Sequence, residues 1–232
     1  MLGMDMSVKD RFNAARLKLI ELKNRSRIIV DMGENSPINN DLLPSMPQGN
    51  KVIIADDVQE ILKLIQEHTQ DSVNDRNKGP QEVPFLLYGK KENGIIFFNH
   101  IEADLEDLQG AEASFHRLAD GLKKYIKKSK KDGTDIVAHG HTHPVTSMYN
   151  KSFSLGDMDA YKTLRTENEV FNSGKIGLCS CLLADGDYNF LFFDGNDYYK
   201  YNDVFVQNLE SGDLSRLPSY RKKMNMARNI ER

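Results

Sequence analysis

The stretch HGHTHP, residues 139–144, sets His139, His141 and His143 at alternate positions. Side chains alternate between the faces of an extended strand, so all three imidazoles point one way. Two imidazoles two residues apart can each reach a single ion at ~2.0–2.1 Å, and their borderline-soft nitrogens suit zinc. An H-x-H pair alone is equally compatible with surface or satisfied core histidines, so the weight lies in the residues downstream of it. Pro144 ends the strand, a polar loop comes next, and Asp157 falls in the first turn of a helix that Ser154 opens. Two imidazoles and one carboxylate leave the fourth tetrahedral position for water, the layout of a catalytic rather than a structural zinc site. Asp157 also completes an S-x-x-D capping box, and capping would hold in place the carboxylate that a metal needs.

GHTH resembles the terminal motif of calcineurin-like metallophosphoesterases, but their upstream D-x-H, G-D-x-x-D and G-N-H-[DE] motifs do not occur before residue 140. The H-x-E and P-C-x-x-C pair of zinc nucleobase deaminases is absent as well, since no P-C-x-x-C occurs. HTHP followed by SLGD is similar to the H-[ST]-H-P…S-x-x-D core of the JAMM (MPN-plus) metalloproteases, which include zinc deubiquitinases and prokaryotic relatives. The resemblance covers roughly residues 50–200. It implies an α/β MPN (cytidine-deaminase-like) fold, with a mixed, mainly antiparallel sheet flanked by helices. It also implies one Zn²⁺ per chain on His141, His143 and Asp157, with Glu82, at the head of EVPFLLYG, as general base and then acid. Ser154 takes the role of hydroxyl donor to the developing oxyanion.

The implied reaction is hydrolysis of a peptide or isopeptide bond in a peptide or protein, including ubiquitin-like proteins. The alternative is a non-catalytic binding or scaffold domain of the same fold. The chain departs from the family pattern in two places. His143 and Asp157 are separated by 13 residues, a longer loop than usual, which keeps Asp159 open as the third ligand although only Asp157 stands in S-x-x-D relation to Ser154. Phe85, preceded by Pro84, stands where a glycine is common in the family, a change expected in the pocket wall beside Glu82. The family usually has an aromatic at the position of His139, which is read as lining the pocket or supporting the ligands from behind.

These residues need a scaffold, and the chain of 232 residues with 39% hydrophobic content can supply a core. KVIIA reads as a short strand, with Asp56 or Asp57 as N-cap of a helix carrying Val58, Ile61, Leu62 and Ile65. VPFLLYG and IIFFNHI flank the turn KKENG as a hairpin, and a helix from about Ala113 to Lys131 comes after it, its stripe made of Phe115, Leu118, Leu122 and Ile126. Its lysines at 124, 127, 128 and 131 read as a solvated face. IVAHGHTHP is the metal strand, and after the SLGD helix KIGLCSCLLA, YNFLFFD and DYYKYNDVFV read as three strands. Phe12, Ala15, Leu19 and Leu22 recur at helical spacing ahead of a proline-containing linker. The expected organisation is a helical arm and linker at 1–48, the metallohydrolase domain at 49–205, and a mildly basic tail at 206–232.

The net charge of −3 and a pI near 6.1 give no positive field, so neither nucleic acid nor an anionic membrane surface is an expected partner. No apolar run approaches the roughly 20 residues of a membrane helix. Cys179 and Cys181 read as reduced, buried thiols, and the first residues lack the apolar core of a signal peptide, which together point to the cytoplasm. The oligomeric state is left open.

Overall fold

The structure, a computed structural model, describes residues 43–73, 82–103, 111–144 and 152–218. The N-terminal amphipathic stretch and residues 219–232 of the tail lie outside these. The described chain is a mixed α/β fold: a nine-stranded sheet with helices on both faces. Strand β1 (Lys51–Ala55) runs straight into α1 (Asp56–Ser72). Neither aspartate is the N-cap. That position belongs to Ala55, and Asp56 and Asp57 instead occupy the first turn, where each side chain accepts the next residue's backbone N–H and the helix dipole favours their charge. Strands β2 (Pro84–Glu92) and β3 (Ile95–Ala103) form the expected hairpin about Asn93-Gly94, both at positive φ as a two-residue turn of this twist requires.

Helix α2 (Ala111–Lys128) leads to β4 (Asp135–Thr142), and beyond the loop come α3 (Leu155–Glu167) and the single turn α4 (Glu169–Asn172). Strands β5 (Gly177–Ala184) and β6 (Asp187–Phe193) come next. The run DYYKYNDVFV, expected as one strand, is two. Its first part, β7 (Tyr198–Lys200), pairs with β6, and its second, β8 (Val204–Gln207), pairs in parallel with β1 at the far side of the sheet. A last strand, β9 (Leu214–Arg216), pairs with β8. The sheet therefore continues past the expected boundary at 205, because the backbone after it completes the edge that β1 would otherwise expose. On the other side, Pro44, Ser45 and Met46 pair with Lys200, inside the segment read as linker.

The strand order is β7-β6-β5-β4-β2-β3-β1-β8-β9, with five antiparallel and three parallel neighbours. Tyr201 donates its N–H to Phe190 of β6, yet Val204 already lies beside β1. Three residues reach at most about 10 Å, so the sheet must curl until its two sides approach. The concave face is filled by Val58, Leu62 and Ile65 of α1 with Phe85, Leu87, Ile136, Ala138, Cys179 and Cys181; both cysteines are free, as expected. The convex face is covered by α2, α3 and α4 through Leu118, Leu122, Met158, Tyr161 and Phe171. No helix among the described residues is long and apolar enough to cross a membrane.

Phe85 lies on the concave face, fully buried and paired across the ladder with Gly140. Alternation turns its ring away from His139 and His141, so on the histidines' side of the ladder it is Pro84, paired with His141, that stands in place of Phe85. The ring lies over Gly140, where an added Cβ would come within 2.1 Å of Phe Cε2. A Gly140→Ala substitution is expected to lower stability by about 1–3 kcal/mol, the usual cost of overpacking, read as a shift of the urea midpoint. Combining it with Phe85→Leu should recover part of the loss.

A candidate metal centre at the end of strand β4

The antiparallel ladder of β2 with β4 pairs Pro84 with His141. It continues one step beyond those two strands, because Thr142 donates its N–H to the Val83 carbonyl at 3.1 Å and its Oγ1 accepts the Val83 N–H at 2.9 Å. Continuing that register sets Glu82 opposite His143. The other neighbour of β4 is β5, where His143 N–H donates to the Leu183 carbonyl at 2.9 Å. Residue 142 therefore locks the strand carrying Glu82 to the strand carrying both histidines. A third partner tightens this lock: Thr69 Oγ1 on α1 lies 2.5 Å from Thr142 Oγ1, and both residues are almost completely buried. Sequence reading missed this pair of threonines. The signal was a threonine at 69 on the apolar face of α1, four residues after Ile65.

The four expected residues meet. His141 Nε2 and His143 Nε2 are 3.0 Å apart. Asp157 brings Oδ1 within 3.3 Å of His141 and Oδ2 within 3.5 Å of His143, and Glu82 Oε1 lies 3.5 Å from His143. Two ligand atoms on one tetrahedral ion at ~2.0–2.1 Å are separated by about 3.3 Å, so these spacings suit a shared ion. Glu82, His141 and His143 offer ligand atoms all within 4.8 Å of one another, a group able to hold a metal ion. No family model matches this chain, and no curated protein matches it. The reading of the centre therefore rests on its own geometry and chemistry.

The two carboxylates differ in setting. Asp157 is mostly buried and closes the capping box: its Oδ2 accepts the Ser154 N–H at 2.7 Å and the Ser154 hydroxyl at 2.8 Å, while its own N–H donates to Ser154 Oγ. Its position is fixed by the helix start. Glu82 has a side chain 54% exposed. Asp159, the alternative third ligand, is exposed and its charge falls near Tyr198, away from the histidines. Phe153 packs its ring edge-on to His141, which restricts that imidazole's orientation.

These distances set the electrostatics. Burial alone would raise the carboxyl of Asp157, but the facing imidazoles of His141 and His143 more than offset it and hold it well below the usual carboxylate range. Burial works against charge on His141 too, yet Asp157, with Glu82 behind it, outweighs that and raises its pKa to about 9. For His139, burial and then the neighbouring His141 outweigh the pull of Asp157 and push it down to about 4, so it adds no positive charge to the centre at neutral pH.

The metal-free chain should therefore lose stability with rising pH. The folded pKa of His141 lies above its ordinary 6.5. The pairing with Asp157 is fully present below about 6.5 and is lost as pH rises through about 9, an effect of order 3 kcal/mol. Urea midpoints measured with a chelator between these limits should fall accordingly. Metal binding requires neutral imidazole, so the loaded chain should show no such fall.

Proposed function

We propose that this chain is a zinc-dependent peptidase or isopeptidase of the JAMM class, acting on a peptide or protein substrate that includes the ubiquitin-like proteins. The observation that carries the reading is the pairing of two imidazole nitrogens 3.0 Å apart with two carboxylates of opposite character, one tied down and one exposed. His141, His143 and Asp157 would hold one Zn²⁺ per chain. When bound there, zinc supplies Lewis acidity, polarising a carbonyl oxygen and lowering the pKa of water from 15.7 to about 7.

The remaining work falls to the chain's own groups. Glu82, half-exposed, takes a proton on Oε1 from the attacking water and returns it to the leaving nitrogen. Asp157 contributes the buried negative charge that offsets a cation, and the Ser154 hydroxyl points its proton at that carboxylate. Ser154 therefore first orients Asp157. The oxyanion-donor role that the resemblance implies requires its proton to turn from Asp157 toward the cleft. Neutral His139 behind His141 avoids a second positive charge beside the cation.

The test is hydrolysis by the full chain loaded with zinc, assayed on quenched-fluorescence peptides and on isopeptide-linked ubiquitin-like proteins, before and after chelation. Cleavage abolished by chelator and restored by added zinc is the expected result. A folded chain that purifies without metal and cleaves neither substrate class would instead be the non-catalytic member of the fold.

A further inference from the structure

Past β9 the chain runs beside helix α1. Leu217 donates its N–H to the Val204 carbonyl of β8 and is buried in the cluster that α1 fills, and the Pro218 carbonyl accepts the Tyr188 N–H of β6 at 3.2 Å. The Tyr188 hydroxyl in turn meets the side chain of Gln59 on α1. Residues 219–232, outside the described chain, therefore start next to this helix. The helix offers an acidic stripe: Glu60, Leu64, Glu67 and Asp71 recur at i, i+4, i+7 and i+11, and all four are exposed. Glu67 shares a hollow with Asp185 and Gly186 of the turn that leads into β6, so the stripe borders the place where Pro218 lies. Leu64 is 57% exposed, and Ile61 is exposed as well. With Leu209 and Leu214 of the β8–β9 hairpin, they make four of the five exposed large apolar side chains among the described residues. Asn208 and the Leu209 N–H tie that hairpin to Asp56 at the start of α1.

We infer that residues 219–232 dock along the outer face of α1 in the same chain. The charges are complementary: α1 carries five acidic residues and one lysine, a net −4, and residues 219–232 carry five basic residues and one acidic, a net +4. Arg221, Lys222 and Lys223 come within five residues of Pro218, close enough to meet the carboxylates of the stripe. Met224, Met226 and Ile230 supply apolar side chains for Leu64 and Ile61. Fourteen residues span about 21 Å as a helix and more when extended, against about 25 Å for the 17 residues of α1, so the segment is long enough to cover the stripe. Two other segments fit less well. Residues 74–81, past the far end of α1, hold no large apolar side chain other than Pro80. The basic stretch at 8–25 enters through Leu43, which packs against the cluster on the opposite, convex face. Because Thr69 of α1 meets Thr142, a docked tail would brace the helix that locks the metal strand. The inference is independent of the peptidase reading.

Amide hydrogen exchange of the full chain, read by mass spectrometry over residues 219–232, tests the docking. The segment is expected to exchange about tenfold more slowly than a free peptide of the same sequence, the scale of three exposed ion pairs acting together. Salt of about 1 M, with a screening length of about 3 Å, should remove most of that protection. Reversing the stripe with Glu60→Lys, Glu67→Lys and Asp71→Lys should abolish it. So should Arg221→Glu, Lys222→Glu and Lys223→Glu, which touch no residue of the described core. Combining the two sets should restore it. Free exchange in the wild type, or protection that salt or either set of reversals leaves unchanged, overturns the inference. Protection that falls on dilution overturns it in favour of the tail of a second copy. Protection of residues 8–25 in place of the tail, lost with the same reversals on α1, gives the stripe to the N-terminal arm and overturns it too.

Discussion

Glu82→Gln is expected to reduce turnover about 10²–10⁴-fold while the chain keeps its zinc. Glutamine preserves size and hydrogen-bonding capacity but cannot accept a proton at neutral pH, so only the proton shuttle is lost. The separation of roles comes from burial. The Asp157 carboxylate receives two hydrogen bonds from Ser154 and faces both imidazoles. That of Glu82 is half exposed and meets only His143 among the ion pairs of the centre. A fixed carboxylate makes a good ligand, and an exposed one is free to carry protons between water and a leaving group. Yet Glu82, His141 and His143 by themselves form a group able to hold a metal ion, which leaves an opposite assignment open to experiment. Zinc lost together with activity in Glu82→Gln would make Glu82 the ligand and move the base elsewhere. Zinc kept with activity intact would remove Glu82 from the mechanism.

The centre was unusually legible in the sequence, and for a physical reason. His141, His143 and the Ser154–Asp157 box are local patterns, each specified by alternation along a strand or by the geometry of a helix start. Both hydrogen bonds of the box are present. Glu82 could be placed beside them only through the family resemblance, because its proximity depends on a strand pairing between residues about 60 positions apart. The threonine lock that enforces that pairing was invisible for the same reason: neither Thr69 nor Thr142 stands out until α1 is folded onto the sheet. The fold shows a similar division. Hairpins with Asn-Gly and Asp-Gly turns were readable locally, at 93–94 and 185–186. The split of DYYKYNDVFV was not, because β8 leaves its sequence neighbours to pair with β1, from which more than 140 residues separate it. Phe85 shows the same limit: its place near Glu82 suggested a change in the pocket wall, and only the register shows that its ring goes into the core against Gly140 while Pro84 takes the side of His141.

His141→Ala should abolish stoichiometric zinc binding, with an affinity loss exceeding the 10–100-fold typical of removing an outer-shell partner. One of two imidazoles disappears, and the remaining histidine with two carboxylates is a harder, more anionic set that favours zinc less. The variant separates binding from folding when thermal stability is measured alongside metal content. Zinc that binds only the folded chain stabilises it by RT ln(1 + [Zn]/Kd), about 4 kcal/mol at a thousandfold excess over Kd. The wild type should therefore lose several degrees on chelation, while His141→Ala should be indifferent to chelator. A second loss belongs to the variant alone. Without His141, the Asp157 carboxylate keeps its Ser154 donors but loses its closest imidazole, so its protonation should shift upward toward the ordinary carboxylate range. The stability that Asp157 contributes is present above its ordinary pKa and fades as pH falls, and in the variant it should fade at higher pH than in the metal-free wild type. Asp157→Asn makes the complementary change: asparagine can still accept at the helix start, so helix α3 should survive while zinc binding weakens. Zinc retained in both variants would mean that the pair of imidazoles and the capped aspartate are a structural ion-pair cluster, with no metal function.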